Sequence, residues 1–227
     1  TAWVGAAGGG GLRWGDLDVT RWHPDATRDP AGVRLYLLDR TDGVPWSPTR
    51  SPCGPDPEVR DEVVTWSADR GRWTRRRGDV VATLEAFVAP DADAEVRIVT
   101  LENRGDDARR IALASYGEVV LGPHAADLRH PAFENLFVRS ETWPDVGGVA
   151  FRRTPREPDT DPLWALHRFV AGRPPTAGRR SGRSRRPATA ARCWTGTTTP
   201  PTPPASGAPR SRPTATPSTR RSSCGPR

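Results

Sequence analysis

The 227-residue chain has no Lys, no Met and no Gln, and only three Cys and four His. All 34 basic residues are therefore Arg, and Ala, Gly and Pro are abundant, the composition of a very GC-rich coding sequence. Cys53, Cys193 and Cys224 are too few and too scattered for a disulfide framework, and no CxxC or HxxxH spacing offers a zinc site. A reducing, cytoplasmic setting is the expectation. No run of about 18 apolar residues occurs, so no membrane-spanning helix is expected. Residues 1–30 lack the basic start and apolar run of a signal peptide. The chain opens at Thr1 without an initiator Met, and its first residues resemble the inside of a domain, so a piece of a longer product is expected.

Acidic residues stop abruptly. Residues 174–227 hold 11 Arg and no Asp or Glu, so residues 1–173 carry 23 Arg against all 27 acids, a net charge of −4. The whole-chain value of +7 belongs to the last 54 residues alone. That segment has no Val, Ile, Leu, Phe or Tyr, and Trp194 is its one large apolar residue. It has too little apolar surface to offset chain entropy and is expected to be disordered. Its composition fits out-of-frame reading of GC-rich DNA. An Arg-rich nucleic-acid arm is the functional alternative, although no specific nucleic-acid partner is expected. The division expected is a domain over 1–173 and a tail over 174–227.

What is present in the first 173 residues is period-two alternation broken by turns. In 81–88, Ala82, Leu84, Ala86 and Val88 share one face, and Val81, Thr83, Glu85 and Phe87 the other. Residues 95–102 alternate again, the turn cluster 103–107 (NRGDD) follows, and 110–121 reads as the returning strand. No amphipathic helical stripe is sustained. The expected fold is all-β, an antiparallel β-sandwich with little helix.

Candidate chemistry concentrates in residues 20–49, where Trp22, Tyr36 and Trp46 sit among Arg21, Asp25, Arg28, Asp29, Asp39 and Arg40. Flat aromatic faces beside hydrogen-bonding charges suit a sugar-handling surface. Asp25 and Asp29 could form a carboxylate pair, although their spacing alone cannot set the separation a glycosidase needs. His23, His124, His130 and His167 are expected to be surface or structural, since no GxSxG elbow supports a triad. Gly8–Gly11 lacks the strand, Gly-Lys-Ser/Thr and helix of a phosphate loop and is expected to be a flexible loop. Phe133 and Phe137 are expected in the core, fed by a turn at 130–132. Residues 75–77 and 109–110 are short Arg runs expected on a solvated strand face or loop, with a phosphate or sugar contact as the alternative.

Four ordered blocks carry a resemblance: 11–29 (GLRWGDLDVTRWHPDATRD), 32–49 (GVRLYLLDRTDGVPWSPT), 80–121 and 130–156, continuing to Trp164 and His167. Together they resemble the N-terminal β-supersandwich domain of glycoside hydrolase family 94, formerly glycosyltransferase family 36, in the version found in cyclic β-1,2-glucan synthases. The resemblance covers about residues 5–170. It implies a galactose-mutarotase-like supersandwich that is incomplete here. It also implies an (α/α)6 catalytic barrel as partner, a possible homodimer interface and a β-glucan oligosaccharide as ligand. No cofactor is implied beyond inorganic phosphate as co-substrate of an intact enzyme. The family's general acid and phosphate site lie on that barrel, and no position here corresponds to them, so no catalytic residue and no metal ligand is expected. By the same resemblance Arg21, Trp22, Asp25, Arg28, Asp29 and Trp46 are the candidate sugar- or interface-facing residues. Buried packing of Trp22, with Arg21–Asp ion pairs holding a sandwich edge, is the structural alternative. An independent carbohydrate-binding module is the functional one.

Overall fold

The computed structural model describes residues 1–23, 31–157, 160–172 and 189–196, the last for its backbone alone. The strands are β1 (Ala2–Val4), β2 (Gly10–Trp14), β3 (Leu17–Thr20), β4 (Arg34–Asp39), β5 (Pro45–Trp46), β6 (Val59–Trp66), β7 (Arg70–Arg77) and β8 (Val80–Val88). After these come β9 (Ala94–Asn103), β10 (Ile111–Tyr116), β11 (Val119–Pro123), β12 (Val138–Trp143), β13 (Gly148–Arg153), β14 (Leu163–Gly172) and β15 (Thr189–Gly196). Two short helices, α1 (His124–Arg129) and α2 (Pro131–Asn135), lie between β11 and β12. The strands form an eight-stranded sheet ordered β12-β13-β14-β15-β9-β8-β7-β6, a four-stranded sheet β1-β2-β3-β11 and a three-stranded sheet β10-β4-β5. All the pairings within them are antiparallel, so the fold is the all-β sandwich that the alternation predicts.

Both small sheets pack on one face of the large one. Leu35 of β4 meets Trp73, Leu84, Ala86 and Val99 of β7–β9. Leu37 and Trp46 meet Val80 and Ala82. Leu12, Val19 and Leu121 of the four-stranded sheet meet Ala165 of β14. Period two explains these contacts: Ala82, Leu84 and Ala86 share the inward face, as the sequence indicates. At roughly 25 cal/mol per Å2 of apolar surface removed from water, these side chains are the main favourable term in the fold.

Four expectations are corrected. Residues 110–121 are not one strand. The chain breaks at Gly117, and β10 pairs with β4 whereas β11 crosses to β3. The glycines at 8–11 are not a flexible loop: Gly10 and Gly11 are buried in β2, and a Cβ on Gly10 would lie 1.9 Å from the Trp3 carbonyl oxygen. Gly8 adopts φ +94, where a Cβ would strike Thr49 at 2.4 Å. Residues 131–133 are helical rather than a turn. Pro131 starts α2, and Phe133 remains 49% exposed, edge-on to Phe137 at 5.3 Å with Arg156 stacked over both rings. Within the segment read as disordered, residues 189–196 form β15, which pairs with β14 on one side and β9 on the other. Backbone groups explain this insertion. The facing edges of β9 and β14 each present a row of ladder donors and acceptors, and a strand between them satisfies both.

Candidate functional site at the seam of the small sheets

β3 delivers Arg21 and Trp22 to the place where β11 leaves for α1. The Arg21 backbone N–H donates to the Glu118 carbonyl at 2.8 Å, extending the β3–β11 pairing. Its guanidinium donates through Nε and Nη2 to the two oxygens of Asp127, both at 2.9 Å, and through Nη2 to Asn135 Oδ1 at 3.0 Å. It also pairs with Glu118. The Asp127 hydrogen bond, ahead of the charges of Asp127 and Glu118, outweighs desolvation and holds Arg21 above its ordinary range. Arg21 therefore ties the helical excursion to the sheet.

Trp22 stands edge-on to Trp3, centroids 5.6 Å apart, and tilts against the His124 ring at 5.4 Å. His124 Nδ1 donates to Asp18 Oδ2 at 2.7 Å, and Arg13 Nε donates to Asp18 Oδ1, also at 2.7 Å. Asp18 is 1% exposed, so both partners are needed to offset burying its charge. The Arg13 guanidinium also lies 5.5 Å from the Trp3 centroid. The result is a patch of three half-buried rings braced by ion pairs.

Beside it a cavity of about 460 Å3 opens between the break at Gly117 and strands β13 and β14. Its walls include Val119, Phe151 and Phe169, with Ser115, Tyr116 and His167 as polar lining. Ser115 Oγ and His167 Nε2 are 2.7 Å apart. Burial, assisted by the charge of Arg97, pushes His167 below its ordinary range, so the imidazole is neutral at pH 7. At the mouth the Tyr116 hydroxyl donates to Glu118 at 3.0 Å, which pushes the phenol up and links the cavity to Arg21 through Glu118.

Arg21 and Trp22 thus lie together, as the sequence suggests. Trp46 does not join them. It is 2% exposed and packs with Leu37, Val80 and Ala82, so it is a core residue rather than a sugar-facing one. Asp25, Arg28 and Asp29 lie outside the described residues. The Arg run at 75–77 alternates with the pleat. Arg75 points inward at 2% exposure and donates to the carbonyls of Ser47 and Thr49, at 2.9 and 2.5 Å. Arg77 reaches Asp42 and Asp56, and Arg76 faces outward. The first and last of these residues are structural, not solvated. Trp3, Asp18 and the Ser115–His167 pair went unread in the sequence. One available signal was Ser115, a polar side chain continuing the inward row Ile111, Leu113. Among the described residues no group of three or more His, Cys, Asp or Glu could hold a metal ion, and no helix is long and apolar enough to cross a membrane.

The fold is that of an antiparallel β-sandwich domain. The family model for the glycosyl hydrolase 94 supersandwich domain matches residues 1–190, and the chain belongs to that family. The match runs past Arg173 and reaches the start of β15. The cyclic beta-(1,2)-glucan synthase NdvB of Rhizobium meliloti (strain 1021) is 36% identical over 159 residues, 69% of this chain and 6% of that protein. The N,N'-diacetylchitobiose phosphorylase of Vibrio furnissii is 29% identical over 109 residues, 48% of this chain and 14% of that protein. The chain therefore spans a small part of the length of these relatives.

Proposed function

We propose that this chain is a carbohydrate-facing scaffold domain of a larger enzyme that builds or phosphorolyses β-glucosidic links. Its partner is an (α/α)6 catalytic barrel, its ligand a β-glucan oligosaccharide, and its setting the cytoplasm. Inorganic phosphate is the co-substrate of the barrel rather than of this domain. The observation that carries the reading is the seam patch. Trp3, Trp22 and His124 offer aromatic surface beside the hydrogen-bonding groups of Arg13, Arg21 and Tyr116, the combination that recognises the apolar face and hydroxyl rim of a pyranose. The buried carboxylates among the described residues support a scaffold role. Asp18, Asp39, Glu95, Asp127 and Glu134 are each engaged by Arg or His, which ties them to the fold instead of to proton transfer.

Titration calorimetry of the full chain with a linear β-1,2-linked glucan oligosaccharide tests the reading. Saturable binding is expected, weakened about tenfold by Trp22→Ala, the loss of one aromatic contact. Binding that Trp22→Ala leaves unchanged, in a protein whose melt is also unchanged, would remove the patch from the account.

A further inference from the structure

We propose that the cavity at the Gly117 break is a subsite for one terminal pyranose unit, held by the Ser115–His167 pair. This rests on the carbohydrate reading of the seam and goes beyond it by assigning a second, deeper contact.

The polarity of two inward rows carries the argument. On β10 the row is Ile111, Leu113, Ser115, and the first two pack in the core. On β14 it is Leu163, Ala165, His167, Phe169, of which Leu163, Ala165 and Phe169 contribute to the apolar clusters. Both rows turn polar where the cavity opens, and the two polar side chains meet there at 2.7 Å. A sandwich interior that served packing alone would carry apolar residues at both positions. Ser115 Oγ has one proton and two lone pairs, so its contact with His167 leaves capacity for a ligand hydroxyl.

The lining sets the ligand's chemistry. Val119, Phe151 and Phe169 match the C–H face of a sugar ring, and Ser115 matches its rim. Two nearby cations are already neutralised: Arg21 by Asp127 and Glu118, and Arg97 by Glu95 at 2.7 Å. Arg168 also lines the cavity, beside its register partner Gly148, and its Nε is buried without a hydrogen-bond partner. The volume of about 460 Å3 lies within the range of roughly 300–1,000 Å3 for small-molecule pockets and admits a short ligand, not a chain.

The test uses the full chain and two probes, methyl β-D-glucopyranoside and a linear β-1,2-glucan pentasaccharide, with saturation-transfer NMR and calorimetry. Ser115→Val and His167→Gln are expected to weaken the monosaccharide about tenfold, the loss of one buried hydrogen bond. Trp22→Ala is expected to weaken the pentasaccharide and leave the monosaccharide bound. Should Ser115→Val lose its cooperative melt, Val149→Leu narrows the cavity with both polar groups intact, and the same loss is expected. Pentasaccharide binding that responds to Trp22→Ala, without monosaccharide binding to the wild type, overturns the subsite and leaves the seam reading standing. No binding of either probe removes both.

Discussion

The two small sheets lie on the same face of one large sheet, yet they use their polar residues in opposite ways. Around the three-stranded sheet, polar groups close the structure. Ser47 and Thr49 bond each other, Thr49 Oγ1 donates to the Ser51 carbonyl at 2.6 Å, and Arg75 takes up the carbonyls of residues 47 and 49. Trp46 seals the base. Around the four-stranded sheet and the end of β10 that faces it, rings stay half-buried, Tyr116 is 54% exposed and a cavity remains. Packing and internal hydrogen bonds thus account for the closed side, whereas the seam keeps half-buried aromatic surface. The proposed binding surface lies on that second side.

That contrast can be broken by substitution. The largest effect is expected from Trp46→Ala, which empties a fully buried site and should destabilise the fold by about 4 kcal/mol in urea unfolding. A loss below about 1 kcal/mol would mean that the closed side is not the packed one. Arg75→Met comes next, at about 3 kcal/mol, because it strands two carbonyls and removes a partner of Glu62, which lies 3.3 Å away. Desolvation pushes the Arg75 guanidinium below its ordinary range, and the charge of Glu62 opposes that shift.

On the seam side, Arg21→Gln should cost about 2 kcal/mol, since it leaves buried Asp127 without its bidentate partner. The effect is smaller than at Arg75 because solvent reaches part of the Arg21 side chain. Hydrogen exchange should quicken in α1 and α2 and stay unchanged in β4 and β5.

The subtlest difference is in pH. The folded pKa of His167 is depressed, first by burial and then by Arg97, from an ordinary value of 6.5. The unfolded chain therefore takes up a proton near pH 6.5 that the folded chain refuses. Its contribution to stability is complete above that pH and falls as the solution is acidified below it. Urea midpoints between pH 7 and 5 should decline in the wild type and decline less in His167→Gln. Equal slopes in the two proteins would show that the cavity imidazole is not buried as described.

Much of the fold was legible because β8 and β9 alternate cleanly. The split of 110–121 was not, since Ser115 and Tyr116 keep the alternation going up to Gly117 and only the pairing partners differ. The helices escaped because six and five residues are too short to build a stripe. Arg75 was hidden by its neighbours: a triple Arg reads as surface until the pleat assigns every second residue inward. At the site, the closeness of Arg21 and Trp22 was legible from adjacency. Their partners were not, because Asp127 and His124 lie about a hundred residues away in sequence and reach the seam only through the β3–β11 crossing.

Hydrogen-exchange mass spectrometry of the full chain, with and without a saturating β-1,2-glucan oligosaccharide, tests the central claim most directly. Protection is expected in peptides covering residues 11–23 and 113–125, with none in 44–57. Protection centred on 44–57, or none anywhere at saturating ligand, would contradict the assignment of binding to the seam.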